Sequence, residues 1–359
     1  MVLSPKSVVL DCFDNGKANA KMGLLPYDEL RSVCRDKWSA TKFLFVEGIL
    51  EKPDLCSKCG SGVSFKKDPF VLEAKYEKNL VTKPPSEEKA CFIYRCKNRN
   101  CSASVSLFKN TFFENGKKPP QQILMFLHLW LTGANVPTLK SLTGWSEPCV
   151  LQYCSLMRKM VSSLIINWLQ CEVNPEIYTY ENAIGGPGVE VQIDESAFGK
   201  RKYGRGHAVD TKWVFGGIEI LVDEKGRRSG GNFFSVVVLD RKRDTLFDAI
   251  RKFIRPGSVI VSDCLKSYDT IREIDGYEFT HFSVNHSEHY KCPATGACTN
   301  TIEGKWNALK KNIPRQGFRS DEVLQEYLGE QMWRHANKGH LWEAAIKSMS
   351  VFVKYQGDV

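Results

Sequence analysis

Three carboxylates stand at the ends of elements that the sequence pattern predicts. Asp194 closes the apolar run VEVQIDE, Asp263 closes SVIVSD, and Glu303 falls in the first turn of a helix predicted over TNTIEGKW. An ionised Asp at the end of an apolar strand is costly unless it is solvated, paired or coordinated. Taken singly, each carboxylate reads better as a strand-end cap or an ion-pair partner. Two such Asp on neighbouring strands, with a helical Glu across the sheet end, have the composition of a site for two divalent cations.

Hard carboxylate oxygens favour Mg²⁺ (or Mn²⁺) over zinc as the cation at Asp194, Asp263 and Glu303. Two-metal sites of this kind drive phosphoryl transfer: one ion activates the attacking water or 3′-hydroxyl, and the other stabilises the leaving oxygen. The three residues are therefore predicted to be both catalytic and metal-binding.

Four of the 13 cysteines form two close pairs, Cys56/Cys59 in CSKCG and Cys96/Cys101 in CKNRNC. Two cysteine pairs at hairpin tips supply four thiolates to tetrahedral Zn²⁺, which predicts a zinc ribbon. Residues 60–95 exceed the usual spacing between such pairs, and Cys91 is a competing ligand. The alternative is a set of buried thiols. The odd number of cysteines in a large chain argues against a disulfide scaffold.

Residues 137–161 resemble a helix-turn-helix, with a short helix ending at Gly144 and a longer one after the turn. The second helix carries polar and cationic side chains suited to DNA, namely Gln152, Tyr153, Arg158 and Lys159. A plain helical hairpin is the alternative. The expected core is the same in both cases: Leu139, Leu142, Val150, Leu156 and Val161.

The elements that must position the carboxylates follow Gly185–Gly188, which reads as a linker. Strands are predicted over 189–195, 212–221, 232–240, 258–263 and 277–284, and helices over 243–254, 300–313 and 321–337. This order predicts an α/β, ribonuclease-H-like core: a mixed sheet flanked by helices. The predicted domains are an N-terminal helical segment (1–48), the zinc ribbon (49–115), the helical DNA-binding region (116–184), the catalytic domain (187–338) and a C-terminal tail (339–359).

The composition is that of an ordinary globular protein, with 42% hydrophobic and 25% charged residues in 359. No apolar run reaches the ~18–20 residues of a membrane span. The N-terminus lacks the basic lead-in of a secretory signal, so we expect a soluble intracellular protein. A formal charge of +9 fits a polyanionic partner.

Several separated blocks resemble, in the right order, the DDE transposases of the Merlin superfamily and their bacterial ISXO-type relatives. The blocks are IDESAFGKRKYGRGH (193–207), WVFGGIE (213–219), VVLDR (237–241), PGSVIVSDCLKSY (256–268), VNHSEHYKCPATG (284–296) and TNTIEGKWNALK (299–310). The resemblance implies an RNase-H-like fold, cleavage of double-stranded DNA at terminal inverted repeats and strand transfer into target DNA. It maps the catalytic triad onto Asp194, Asp263 and Glu303, and synapsis implies a homo-oligomer. One departure is Cys298, where the family commonly has His.

Further residues are predicted to support the chemistry. His286 lies in a matched block, where contact with the scissile phosphate and a structural role are equally favoured. A basic loop follows Asp194 and suits phosphate contacts, although such a run in isolation is usually a solvated turn; its residues are Lys200, Arg201, Lys202 and Arg205. Lys310 follows Glu303 by about two helical turns and is predicted to reach the DNA backbone. Trp306, Trp333 and Trp342 are expected in the core.

We therefore predict a DDE transposase with Mg²⁺ (or Mn²⁺) at the carboxylates and Zn²⁺ at the ribbon. Two rival hypotheses are a transposase-derived DNA-binding protein without transposition and a metal-dependent nuclease without strand transfer. KRK (200–202) and RKR (241–243) are weak import signals, so we expect the nucleus in a eukaryotic host and the cytoplasm otherwise.

Overall fold

The structure is a computed structural model of the 359-residue chain. It describes residues 22–51, 54–65, 93–114, 116–170, 183–199, 211–284, 298–314, 318 and 320–352. Within those ranges no helix combines the length and the apolar character needed to cross a membrane. The chain forms two compact units. We call the described residues of 161–337 the sheet unit, and those of 14–160 and 338–359 the ribbon unit.

The sheet unit is built on five strands in the spatial order β10-β9-β5-β6-β7. Their bounds are β5 Glu190–Phe198, β6 Lys212–Val222, β7 Arg228–Val238, β9 Val259–Asp263 and β10 Thr280–Val284. β5, β9 and β10 run parallel, whereas β6 and β7 are antiparallel to their neighbours. The sheet is thus mixed, as the sequence predicts, and β9 ends level with the middle of β5.

Helices cover both faces of this sheet. They are α6 (Arg243–Phe253), α7 (Asn300–Asn312) and α8 (Asp321–Ala336). On one face Phe234 stacks on Phe253 of α6, with ring centroids 4.7 Å apart. On the other face α7 packs against β5 and β6. The Gln325 side chain of α8 accepts a hydrogen bond from the Val237 backbone N–H (2.9 Å), so α8 covers the open edge of β7.

The segment Gly185–Gly188, predicted as a linker, is part of this packed unit. Strand β4 (Ile184–Gly185) pairs in parallel with β8 (Ile254–Arg255). The Gly185 N–H donates to Glu219 Oε1 (2.8 Å), and the Gly186 N–H donates to Ser258 Oγ (2.9 Å). A Cβ on Gly185 would lie 2.4 Å from Ser258 Oγ, and its φ is +81°, so only glycine fits this close approach.

The ribbon unit combines a small antiparallel sheet with helices. Its strands are β1 Val63–Phe65, β2 Ile93–Cys96 and β3 Ser104–Ser106. Its helices are α1 Tyr27–Val33, α2 Lys37–Val46, α3 Pro120–Leu131, α4 Val136–Thr143, the start of α5 Glu147–Gln170, and α9 Leu341–Phe352. The segment predicted as a C-terminal tail therefore contains a helix. α9 packs against α3, and nearly all of the buried residues of α9 are apolar.

Three residues (144–146) separate α4 from α5, close to the turn that the sequence predicts. Asn135 Oδ1 accepts the Thr138 N–H (3.0 Å) at the start of α4, and Gly144 ends it with φ +68°. Leu139 and Val150 are buried as expected. Leu142 was expected in the core and is 61% exposed, because it lies on the outer face of a helix of only eight residues.

Candidate functional site

Asp194 and Asp263 lie at the same level on two neighbouring parallel strands. β5 and β9 pair with Gln192 opposite Val261. Because the strands are parallel, Asp194 and Asp263, each two residues further along, are level with each other. The ladder stops at Gln192, and Asp263 ends β9 as predicted. The prediction that Asp194 ends its strand is wrong: β5 continues to Phe198 because it goes on pairing with β6. The Leu265 N–H donates to Asp263 Oδ1 (3.0 Å) and orients that carboxylate.

Glu303 lies in the first turn of α7, where the helix dipole stabilises a negative charge. The Thr299 hydroxyl donates to Glu303 Oε1 (3.2 Å). The same helix end is fixed to β5 by Gln192, whose Oε1 accepts the backbone N–H groups of Thr301 (3.1 Å) and Ile302 (3.3 Å). Cys298 Sγ lies 4.0 Å from Gln192 Nε2, so this departure from the family pattern touches the residue that holds the helix.

Asp194 is positioned by an indole. Trp306 Nε1 on α7 donates to Asp194 Oδ2 (3.0 Å), and Trp306 is only 4% exposed. The ring fits because β6 has a glycine beneath it: a Cβ on Gly216 would lie 2.6 Å from Trp306 Cη2. Asp194 is opposite Gly216 in the β5–β6 ladder, so one glycine makes room for the side chain that holds the carboxylate.

The electrostatics of Asp194 link it to the other two carboxylates. Burial raises the pKa of Asp194 to about 6, and the negative charges of Asp263 and Glu303 raise it as well. The Glu195 backbone N–H and the Trp306 indole lower the same pKa. Burial, followed by the charges of Asp194 and Asp263, raises the pKa of Glu195 to about 8. Among the described residues, Glu195 Oε1 has no hydrogen-bond partner.

The donor set at this sheet end fits a hard divalent cation. Three carboxylates lie together, and the charges of two of them disfavour ionisation of the third. A cation bound among them would relieve that repulsion. The carboxylate oxygens are more widely spaced than the four cysteine sulfurs of the ribbon. Among the described residues, those sulfurs form a group of potential ligand atoms that all lie within 4.8 Å of one another.

Lys310 extends from α7 to β5, on the face that carries Asp194. Its Nζ donates to Ser196 Oγ (2.6 Å) and lies 5.3 Å from the centroid of the Phe198 ring. The other predicted contacts near Asp194 lie outside the described residues, namely Lys200, Arg201, Lys202, Arg205 and His286.

The predicted DNA-reading residues of α5 differ in their exposure. Gln152 and Lys159 are exposed and Arg158 is half-buried. Gln152 and Lys159 line a pocket of about 440 Å³ together with Lys117 and Glu114. Tyr153, between them, is buried: its hydroxyl accepts the Lys118 N–H (3.3 Å), and its ring lies 5.0 Å from Trp145. The face that contains Tyr153 is therefore core.

The four predicted zinc ligands converge at the tips of the ribbon. The Sγ atoms are 3.8 Å apart in Cys56/Cys101 and 3.4 Å apart in Cys59/Cys96, and all four lie within 4.8 Å of one another. Zinc–sulfur bonds of about 2.3 Å in a tetrahedron place the sulfurs about 3.8 Å apart. Hydrogen bonds from Ser61 lower the pKa of Cys59 to about 6, which favours the thiolate that a metal requires. Cys91 lies outside the described residues.

Sequence reasoning missed two positioning residues of the carboxylate site. Trp306 was expected in the core, and it is, but its hydrogen bond to Asp194 was not foreseen. Gln192 was read as part of a strand, although a polar residue inside the apolar run VEVQIDE, on the same strand face as Asp194, was the available signal. Gln192 is 0% exposed, and a fully buried side-chain amide is stable only when its hydrogen bonds are satisfied.

Comparisons with known proteins agree with these observations. Residues 185–336 match the family model described as the ISXO2-like transposase domain. Over 104 residues the chain is 33% identical to an "Uncharacterized transposase-like protein" of Haemophilus influenzae. That alignment spans 29% of this chain and 80% of the relative.

Proposed function

Because the chain belongs to the ISXO2-like transposase family, we propose that it is a DDE transposase, of the Merlin type, that cleaves DNA at terminal inverted repeats and joins the ends to target DNA. The observation that carries this proposal is the convergence of three carboxylates at one end of the sheet. Asp194 and Asp263 stand level on parallel strands, and the charges of Asp263 and Glu303 both act on Asp194.

The strand pattern supports assigning the sheet unit to the RNase-H-like fold. Three consecutive strands form an antiparallel meander, and two later strands join in parallel on the side of β5. In open sheets, ligands bind beyond the carboxyl ends of parallel strands. Asp263 occupies such an end on β9, and Asp194 is level with it on β5, so we assign the catalytic centre to this edge.

In this proposal each residue has a definite role. Asp194, Asp263 and Glu303 hold divalent ions, Mg²⁺ or Mn²⁺, through hard carboxylate oxygens. When bound, these ions supply activation of the attacking oxygen and stabilisation of the leaving oxygen. Trp306 fixes the orientation of Asp194, and Thr299 that of Glu303. Lys310, on the Asp194 face of β5, is placed to contact a DNA phosphate.

We propose that the ribbon unit binds the inverted repeats. Zn²⁺ held by Cys56, Cys59, Cys96 and Cys101 would fix the ribbon, and Gln152, Arg158 and Lys159 on α5 would contact DNA. The basic loop (Lys200, Arg201, Lys202, Arg205) and His286 are further proposed contacts. A homo-oligomer would bring two ends together, in the nucleus of a eukaryotic host or the cytoplasm of a bacterial one.

The test is metal-dependent cleavage of duplex DNA that carries the inverted repeats flanking the coding sequence. We expect Mg²⁺-dependent nicking at the repeat end, with a loss of about 1,000-fold or more in Asp194→Asn, Asp263→Asn and Glu303→Gln and little change in DNA binding. Asp248→Asn is the matched control, because Asp248 is an exposed carboxylate on α6 that pairs with Arg251 three residues away.

The outcomes separate the rival functions. Binding without nicking by the wild type would favour a DNA-binding protein derived from a transposase. Nicking without joining to target DNA would favour a nuclease. Retained nicking by Asp263→Asn would overturn the assignment of the carboxylates.

A further inference from the structure

The loop between β7 and α6 lies at the same edge of the sheet as the carboxylates. Trp213 at the start of β6 is opposite Ala197 at the end of β5 and Val238 at the end of β7. The chain therefore leaves β7 at the end of the sheet toward which β5 runs, two strands from β5 and three residues beyond the level of Asp194. The Ser267 hydroxyl donates to the Arg241 carbonyl oxygen (2.9 Å), which ties this loop to the segment that follows Asp263.

Four exposed cations surround this edge, and we call them the edge cation cluster: Arg241, Lys242, Arg243 and Lys266. Lys266 follows Asp263 by three residues, and the hydrogen bond from Ser267 to the Arg241 carbonyl holds the Arg241 backbone beside the same segment. A phosphate approaching the carboxylates meets repulsion, and neighbouring cations offset it.

Two of the arginines are held on aromatic rings. The Arg241 guanidinium lies 4.0 Å from the centroid of the Trp213 ring, and that of Arg243 lies 5.1 Å from the Phe247 ring. A stacked guanidinium keeps its N–H edge available for a bidentate oxygen ligand. Because its orientation is already fixed, less conformational entropy is lost on binding than for a free side chain.

The backbone of the loop is also ordered before any ligand arrives. Asp240 Oδ1 accepts the Lys242 N–H (3.0 Å) and the Thr245 hydroxyl (2.8 Å). Lys242 Nζ also lies 3.2 Å from Asp240 Oδ2, whereas both arginines of the cluster lie on aromatic rings. In the β6–β7 turn at the other end of the sheet, the guanidinium of Arg227 donates through Nε to Asp223 Oδ2 (2.7 Å).

We propose that the edge cation cluster binds the phosphodiester backbone of duplex DNA and holds the strand on which Asp194, Asp263 and Glu303 act. This inference rests on the proposed function and adds a substrate-binding surface to it. Arginine forks favour phosphate oxygens, and contacts of this kind position the duplex without reading its sequence.

The experiment measures the salt dependence of DNA binding by the full chain. Zinc-loaded protein without Mg²⁺ is titrated against a fluorescein-labelled random-sequence duplex of about 40 bp over a series of KCl concentrations. Each lost phosphate contact makes the slope of log K against log [salt] shallower by about 0.9. We expect Lys242→Gln/Arg243→Gln to reduce the slope by about 1–2 and to weaken binding about 10-fold at low salt.

The matched control is Lys225→Gln/Arg227→Gln, which removes the same charge from the opposite edge and should retain the wild-type slope. Equal slopes in the two double variants would overturn the proposal. If Lys242→Gln/Arg243→Gln loses its thermal transition, Lys266→Gln is read in the same assay, with an expected change of about 0.9. The readout does not require cleavage. A reduced slope in a protein that does not cut DNA would support phosphate binding by the edge cation cluster and contradict the proposed cleavage. Cutting by a protein whose variants keep the wild-type slope would support cleavage and contradict phosphate binding by the cluster.

Discussion

At the scale of single residues, the ionisation of Asp194 is set by opposing influences that the fold brings together. Burial and the charges of Asp263 and Glu303 raise its pKa to about 6, and the Trp306 indole and a backbone N–H limit the rise. The carboxylate is therefore mostly ionised at neutral pH in the metal-free protein. A proton competes with a divalent ion for this ligand as the pH falls through about 6.

Trp306→Phe should remove the indole donor while keeping an aromatic ring in the same space. A hydrogen bond to a charged group contributes about 1.5–3 kcal/mol, so we expect DNA cleavage at pH 7 to fall about 10-fold or more. Losing the donor raises the pKa of Asp194 further. The Mg²⁺ concentration for half-maximal cleavage should therefore begin to rise, as the pH is lowered, at a higher pH than in the wild type.

Trp333→Phe is the control for this prediction. Trp333 is also buried, and its Nε1 has no hydrogen-bond partner within the described part of the chain. It should share any loss of packing but keep the wild-type dependence on Mg²⁺ and pH. The same pH profile in both variants would contradict a positioning role for Trp306.

At the scale of elements, α7 is held against the sheet at two points along its length. Gln192 accepts the first N–H groups of the helix, and Trp306 enters the space above Gly216 one turn after Glu303. Glu303 lies between these two anchors. Its distance from Asp194 is therefore determined by the packing of α7 on β5 and β6.

Gly216→Ala should displace α7. The added Cβ would lie 2.6 Å from Trp306 Cη2 and 2.8 Å from the Phe234 carbonyl oxygen, and the latter belongs to the rigid backbone of β7. Overpacking of this kind costs about 1–3 kcal/mol, so we expect a lower melting temperature together with loss of cleavage. Circular dichroism on heating and the nicking assay measure the two effects.

Gly304→Ala provides the comparison within α7 itself. A Cβ there has nothing within 4 Å, and alanine favours a helix interior over glycine by about 0.5–1 kcal/mol. This variant should melt slightly higher than the wild type. If Gly216→Ala and Gly304→Ala had similar melting temperatures, the tight packing of Trp306 on Gly216 would not be what holds α7.

At the scale of the whole molecule, the three-stranded ribbon sheet and the sheet unit have different sources of stability. The sheet unit has a core of large apolar side chains such as Phe215, Phe234 and Ile260, each 1% exposed or less. The ribbon strands have three to four residues each, and among their described side chains Tyr94 is the buried one. We expect so small a sheet to need the additional free energy of a bound metal.

Removal of zinc should therefore unfold the ribbon before the sheet unit. We expect about one zinc per chain, and a strong chelator should expose 54–114 to protease while a fragment covering 183–337 persists. Cys59→Ser should lose the metal. Cys264→Ser should keep it, because Cys264 is exposed and lies outside the cluster. Simultaneous digestion of both regions on chelation would contradict this division.

The amino-acid sequence by itself determined the strands and helices and the kinds of side chain available as metal ligands. Strand β6 was predicted over 212–221 and spans Lys212–Val222, and the helix predicted over 243–254 is α6, Arg243–Phe253. Apolar periodicity is local, so it reports such elements well. β7 was predicted to begin at 232 but begins at Arg228, because the polar arm of its hairpin carries no apolar alternation. The cysteine pairs converge as their spacing predicts, and the ISXO-type resemblance is confirmed by the family match.

Only the tertiary structure decided how the carboxylates are held. Trp306 and Asp194 are 112 positions apart, and Gln192 and Ile302 are 110 apart, so each contact forms only when α7 packs across the sheet. The edge cation cluster likewise depends on β7 and β5 ending at the same end of the sheet, with β6 between them, although RKR (241–243) is visible as a bare charge run. Periodicity and spacing describe the near neighbours of a residue. Orientation of a carboxylate is set by distant groups, and the fold alone brings those within hydrogen-bonding distance.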